Sequence, residues 1–495
     1  MSGVPHPPVP RPRRGPNLIY VFADQMRGMD LGCAGNPEVH TPNLDRLAAQ
    51  GARLTHAYAN CPVCTPSRAI LLTGRHAQAN RVVANDLPLP VELPTLGAAL
   101  QQAGYRTGYI GKWHLDGVPR GKWTPPGPRR HGFDFWAVHN CSHQYFGGTF
   151  FGDEPQPIVM EGYEPVAQTD LLLEFIEEAA TGGRATGDKD KARPANAEAG
   201  NGAQPPFAAF LSWGPPHDPY DQLPVEHLAR YNPETITLRP NAAPIPPGPT
   251  SLAGNRDPRL TLCQYYAHIT ALDEQVGRIL DALERLGLAD DTILVFTSDH
   301  GDMLFSQQRM MKQQPWEESI HIPFLIRWPG PMAAGAVLDG LFGVVDVAPT
   351  LLGLLDLPPL PGAQGGDYSA WLLGQTPDRT QDSVFIYDLV HVDQNIRQGL
   401  PLWRGVRTAR HTYARSTEGP WLLYDNAADP YQLENHAGDP AWSALQAELD
   451  RALQRHLDAV GDPFEGDEAL LRRLGLIELW NAREREQHPR APRLL

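Results

Sequence analysis

Five consecutive residues, Cys64-Thr65-Pro66-Ser67-Arg68, carry the densest chemistry in the chain. Proline at the third place suits the first turn of a helix and Ala69 to Leu72 can continue it. Cys64 is therefore expected at the amide-donating, positive end, where a reactive group faces an anion. Two further pairs have the makings of a metal site. Asp24-Gln25 follows the apolar run Asn17 to Ala23, and Asp299-His300 follows Thr292 to Thr297. If both runs are buried strands of one sheet, they present O,O and O,N donor pairs at its carboxyl edge, where open α/β sheets bind ligands. Asp24 alone could equally cap the segment after it. Lys112 and His114, in G-K-W-H-L from Gly111 to Leu115, stand two apart on an expected extended segment, so both point to one side and could grip an oxyanion. A solvated lysine beside a core histidine is their plain alternative. His217 sits in G-P-P-H-D-P-Y, a proline-bounded placement that suits a general acid.

Cys61 and Cys64 also form a C-x-x-C, which elsewhere marks a redox pair or half a zinc site. Zinc needs a second ligand pair, and Cys33, Cys141 and Cys263 are scattered singly. Redox use lacks an upstream thioredoxin-like βαβ pattern, and five cysteines leave one unpaired. The formal net charge of −15 argues against a nucleic-acid or general polyanion partner, so an anionic substrate must be held by local cations. No apolar run reaches the roughly 18 to 20 residues that cross a bilayer, and Met1 to Pro16 lacks a signal-peptide apolar stretch. The expectation is a cytoplasmic protein without a membrane partner, although a chain trimmed of a secretory leader would read the same.

Length and pattern set the frame for these residues. At 495 residues the chain exceeds one ordinary core, so two domains are expected: a catalytic α/β domain over 15–374 and an α+β subdomain over 375–482, with flexible termini at 1–14 and 483–495. Thr41 to Gly51, Thr95 to Ala103 and Gln168 to Ala180 read as helices, and Leu262 to Leu286 carries a long apolar stripe. Tyr105 to Ile110, Phe207 to Trp213 and Ile322 to Trp328 read as further strands. The stretch 181–206, full of Gly, Ala, Asp and Lys, reads as a disordered insertion. His131 to Tyr145, with Asn140, His143 and Tyr145, suits a pocket lining or a surface loop equally. After Gly374, short strands at 383–387, 403–408, 411–414 and 421–424 precede an amphipathic helix over 441–460. The fold class is thus α/β, a large mostly parallel sheet between helices with a small antiparallel sheet plus helix.

C-x-P-S-R followed by T-G-R, together with G-K-W-H-L, resembles the type I, formylglycine-dependent sulfatases of the alkaline phosphatase superfamily. Segments 18–25, 41–75, 93–115, 211–220, 292–329 and 403–433 resemble that family in its order. The resemblance implies a sulfuric ester hydrolase of alkaline phosphatase-like fold. Cys64 would be oxidised to formylglycine (3-oxoalanine) by a separate formylglycine-generating enzyme. Asp24, Gln25, Asp299, His300 and the modified Cys64 would bind one divalent metal. The resemblance implies calcium first; many members carry aspartate where Gln25 stands and asparagine where His300 stands, and the fewer carboxylates and one imidazole here keep manganese or magnesium as alternatives. Arg68 would hold the formylglycine hydrate, Lys112, Lys312 and His217 would bind sulfate, and His114 and His217 would move protons. The implied substrate is a sulfated carbohydrate or an aryl sulfate. The Asp-Gln and Asp-His pairs also resemble phosphonate monoester and phosphodiester hydrolases of the same superfamily, which usually carry uncharged hydroxyl residues where Lys112 and His114 stand. A third reading is an unmodified relative that binds sulfated glycans without turnover, against which stands the presence of every catalytic residue type.

Overall fold

The computed structural model describes residues 15–181, 204–246, 248, 251–376 and 381–487. The insertion expected over 181–206 lies outside the described residues except at its edges, as do 1–14 and the last eight residues.

The strands are β1 (Asn17–Asp24), β2 (Ala52–Tyr58), β3 (Arg106–Lys112), β4 (Phe135–His139), β5 (Thr149–Phe150), β6 (Ile158–Val159), β7 (Phe207–Pro216), β8 (Thr292–Ser298), β9 (Phe324–Arg327), β10 (Ala336–Gly343), β11 (Val384–Asp388), β12 (Trp403–Arg407), β13 (His411–Ser416) and β14 (Gly419–Asp425). Eight of them form one sheet in the order β10-β2-β9-β8-β1-β7-β3-β4. Only β9 runs against its neighbours β2 and β8. β1 is continuously apolar because both its faces are covered: Leu18, Tyr20 and Phe22 enter one core, Ile19, Val21 and Ala23 the other. The first core takes in helix α2 (Cys64–Thr73), and the second takes in α1 (Pro42–Gln50) with the helices Glu164–Thr181 and Pro258–Arg285. Register does the positioning. Ala23 pairs with Ser298 in parallel β1 and β8, so Asp24 and Asp299 leave the sheet side by side.

Helix α1 starts where its sequence suggests, but its cap comes from elsewhere. The Asp273 carboxylate, on the helix Pro258–Arg285, accepts from the Asn43 and Leu44 amides at 3.2 and 2.7 Å. The antiparallel sheet β11-β12-β13-β14 is backed by the helix Ser443–Val460, whose Leu449, Leu453 and Leu457 join the first core. The C-terminal stretch departs from the expected flexibility at its start: Ile477–Gln487 is helical, and buried Arg483 donates from Nε to the Asn85 carbonyl at 2.9 Å. Among the described residues, no helix is long and apolar enough to cross a membrane.

Candidate active site

Helix α2 begins at Cys64, with every residue of the helix buried and Gly74 ending it at φ 60°. Four groups converge on the Cys64 sulfur: Lys312 Nζ at 3.1 Å, His300 Nε2 at 3.2 Å, Asp24 Oδ1 at 3.6 Å and Lys112 Nζ at 3.9 Å. Burial alone would raise this thiol, yet Lys112, Lys312 and His300 hold it well below the ordinary range. Cys61, three residues earlier, goes the other way, because burial and Asp388 outweigh the pull of Arg404 and leave it well above. Both cysteines are free, so the C-x-x-C is not a disulfide.

The two carboxylates each divide their oxygens between two tasks. Asp24 Oδ2 accepts from the Lys112 ammonium and, at 3.2 Å, from Arg68 Nη2, while its Oδ1 faces Cys64 and lies 3.6 Å from His300 Nε2. Asp299 Oδ2 pairs with Arg68 Nη2 at 2.9 Å, and its Oδ1 also lies 3.6 Å from His300 Nε2. His300 directs Nδ1 to the Gly301 carbonyl at 3.0 Å, which turns Nε2 inward toward Cys64 and the two carboxylates. Asp24, Cys64, Asp299 and His300 thus offer ligand atoms all within 4.8 Å of one another, all buried. Donors 3 to 4 Å apart are spaced as atoms that share one ion at about 2.0 to 2.6 Å. Two carboxylates and one imidazole suit a divalent cation. Gln25, at φ 70°, adds a carbonyl oxygen nearby: its Nε2 is fixed on Asp302 Oδ2 at 2.7 Å, and its Oε1 accepts from Lys312 Nζ at 2.8 Å.

Arg68, expected on the nucleophile, braces the groups around it. Besides the carboxylates it donates from Nη1 to the Lys112 carbonyl at 2.8 Å and to Ser212 Oγ at 2.6 Å. Lys112 and His114 do not share one face of a strand. β3 ends at Lys112 and His114 takes a φ of 56°, so a turn brings the two inward. His114 Nε2 pairs with Asp86 Oδ1 at 2.9 Å, and Arg120 grips both Asp86 oxygens at 2.8 Å. Burial disfavours a charged His114, but the Cys141 thiolate and Asp86 push it up to about 10. His217 and Lys312 meet at 2.7 Å between Nε2 and Nζ, while His217 Nδ1 faces the Asp218 carbonyl at 2.7 Å and its carboxylate at 3.0 Å. Burial and Lys312 lower His217, Asp24 and Asp218 raise it, and it settles at about 9. At 2.7 Å the two nitrogens are within hydrogen-bonding distance, which places a transferable proton at this pair.

All ten residues singled out from the sequence therefore meet at one place. Asp86, Ser212, Asp218, Asp302 and Tyr220, whose hydroxyl donates to Asp302 Oδ2 at 2.6 Å, were not singled out. Asp218 and Asp302 lie inside the motifs G-P-P-H-D and S-D-H-G-D and could have been found there; Asp86 and Ser212 had no spacing signal at all.

Residues 16–357 match the family model Sulfatase, and 301–459 match the model of the N-sulphoglucosamine sulphohydrolase C-terminal region. An ulvan-active sulfatase of Formosa agariphila is 36% identical over 466 residues, spanning 93% of this chain and 85% of that protein. An N-acetylglucosamine-6-O-sulfatase of Bacteroides thetaiotaomicron is 26% identical over 89% of this chain and 86% of its own length. The crystal structure of yidJ from Bacteroides fragilis superposes with a TM-score of 0.78 at 29% identity, covering 92% of this chain and 98% of that one. The chain belongs to the sulfatase family of the alkaline phosphatase superfamily and is a sulfate ester hydrolase.

Proposed function

We propose that this enzyme releases sulfate from sulfated saccharides, with Cys64 in its formylglycine form as nucleophile and a divalent ion held by Asp24, Gln25, Asp299 and His300. The Cys64 sulfur stands in for the oxygens of the aldehyde hydrate. The observation that carries the reading is Lys312 Nζ, which touches that sulfur and His217 Nε2 at once. Formylglycine supplies a hydroxyl nucleophile and a second hydroxyl that lets sulfate leave, and the metal supplies positive charge toward the sulfuryl oxygens. Lys112 and Lys312, both beside the Cys64 sulfur, bind those oxygens, which is the larger electrostatic task. The proton shared by His217 and Lys312 goes to the oxygen that leaves with the alcohol. His114, fixed by Asp86, is the residue we assign to the proton of the nucleophile's second hydroxyl: oxidation of Cys64 would remove one of the groups that hold the imidazole charged, and the ring could then accept that proton as sulfate departs. Arg68 keeps Asp24 and Asp299 oriented. The saccharide is supported by the name of the N-acetylglucosamine-6-O-sulfatase relative.

Calcium is the proposed ion, with manganese and magnesium as rivals because His300 puts an imidazole among the oxygens. Two measurements test the whole. Peptide mass spectrometry of protein made with a formylglycine-generating enzyme should show a loss of roughly 18 Da at Cys64, and that protein should release sulfate, not phosphate, from paired model esters. Preference for a phosphodiester would move the assignment to the phosphonate monoester and phosphodiester hydrolases. Metal content by mass spectrometry, with thermal unfolding before and after a chelator, decides among the ions.

A further inference from the structure

His143 takes no part in the chemistry above, yet it stands over it. It follows β4 and is half-buried, whereas His217 beneath it is 5% exposed. The two imidazoles stack face to face, with centroids 4.2 Å apart and planes 16° apart. Tyr145 holds the stack in place: its hydroxyl donates to the His217 carbonyl at 2.7 Å, and its amide donates to Gln222 Oε1 at 2.9 Å. On one side, His143 Nε2 lies 3.9 Å from Cys141 Sγ. On the other, Nδ1 is buried and has no protein partner. Burial, with His217 and Lys112 nearby, brings His143 down to about 4, so the ring is neutral at neutral pH and can accept a hydrogen bond. A buried ring nitrogen without a partner is costly, which marks a place that an incoming group completes.

The direction of that group follows from its neighbour. His217 and Lys312 address the oxygen that joins sulfur to the alcohol, so the carbon on that oxygen carries its other substituents past the ring stacked on His217. We propose that His143 is a specificity-determining residue: its Nδ1 bonds a hydroxyl on the carbon next to the sulfated one, and the site thereby selects sulfated polyols such as saccharides over esters without a neighbouring hydroxyl. This rests on His217 and Lys312 serving the leaving oxygen. Sites that hydrogen-bond a substrate hydroxyl reject the analogue that lacks it.

The test uses formylglycine-bearing protein and four probes: cyclohexyl sulfate, its cis- and trans-2-hydroxy counterparts, and 4-nitrophenyl sulfate as a report that each variant is folded and matured. Wild type should favour one 2-hydroxy ester over the plain ester by about tenfold in kcat/KM, the worth of one well-made hydrogen bond. His143→Ala should bring that ratio near one, and His143→Gln, which keeps an acceptor, should restore part of it. A ratio that survives in His143→Ala, or a wild-type ratio of one, overturns the proposal. So does an equal loss on the plain and hydroxylated esters with the ratio intact, which would mean that His143 only positions His217. If wild type released sulfate from none of the four probes, the hydrolytic reading would fail first and take the proposal with it.

Discussion

Two of the buried clusters of charge among the described residues are built on opposite plans. In the antiparallel sheet, Arg404 is fully buried and donates from Nε to Asp462 Oδ2 at 3.0 Å, with its guanidinium stacked 4.8 Å over Phe464. Gln78 Nε2 and the Phe464 amide donate to the same carboxylate at 2.9 and 2.8 Å. One cation meets one anion, and neutral donors complete the anion's shell. At the carboxyl edge of the large sheet, by contrast, Arg68, Lys112 and Lys312 crowd around two carboxylates and one thiol, and two of these cations touch the sulfur. Like charges so close repel unless something negative comes between them. The saturated pair is what folding alone would select, and the cation-rich cluster is what an anionic substrate would select.

Breaking the cation-rich cluster at its centre should show this most strongly. Cys64→Ala removes the nucleophile and should cut sulfate release by about 10⁵-fold or more, as loss of a nucleophile does elsewhere. Its melting temperature should stay within a few degrees of wild type, because the thiol sits among charges and not in an apolar packing contact. Activity lost together with the cooperative transition would mean that Cys64 is structural.

Next in size is the proton shared by His217 and Lys312. His217→Gln should slow turnover by about 10² to 10⁴-fold on an alkyl sulfate, whose leaving oxygen needs a proton, and much less on 4-nitrophenyl sulfate, whose phenolate leaves without one. Equal losses on both would remove His217 from the acid role. A phosphate ester series run beside them tells whether the same proton serves the other tetrahedral anion.

The two clusters were also unequally legible in the sequence. The site could be read because its ligands sit at the ends of β1 and β8, short apolar runs whose period and burial announce a strand, and because parallel register then puts Asp24 beside Asp299. Cys64 could be read because Pro66 marks the helix start. What supports these residues was silent. Asp86, Ser212 and Asp273 act across long sequence separations, where only the tertiary fold decides who meets whom. β2, β4 and β10 passed unrecognised: β2 mixes polar and apolar residues on a half-buried strand, β10 contains glycines and exposed positions, and β4 hides in an aromatic stretch that also suits a pocket. The Arg404–Asp462 pair had no signal either, since its members lie 58 residues apart.

Breaking that pair should therefore act on stability alone. Arg404→Met leaves Asp462 buried with only Gln78 and one amide as donors, and should cost about 3 to 5 kcal/mol of unfolding free energy. The kcat of the molecules that remain folded should match wild type. Denaturant unfolding with an active-site titration separates the two effects, and a fall in kcat at full folding would show that the clusters communicate.

Asp388, on β11 beside this pair, gives the smallest and most specific contrast. Burial pushes its carboxyl up to about 7 although Asn395, His391 and Arg404 pull it down, and Asn395 Nδ2 donates to it at 2.8 Å. An unfolded chain loses the same proton near 3.8, so the folded state binds it more tightly. Its contribution is fully present below pH 3.8, shrinks as pH rises toward 7, and is absent above. Asp388→Asn removes that loss. At pH 8 the variant should be more stable than wild type by about 2 to 4 kcal/mol, whereas near pH 4 the two should differ little. Urea midpoints at the two pH values measure the difference. If the variant gained nothing at pH 8, Arg404 and His391 would have to stabilise the Asp388 carboxylate in the folded state enough to offset its burial, and the antiparallel sheet would hold a second charged centre to set beside the one at Cys64.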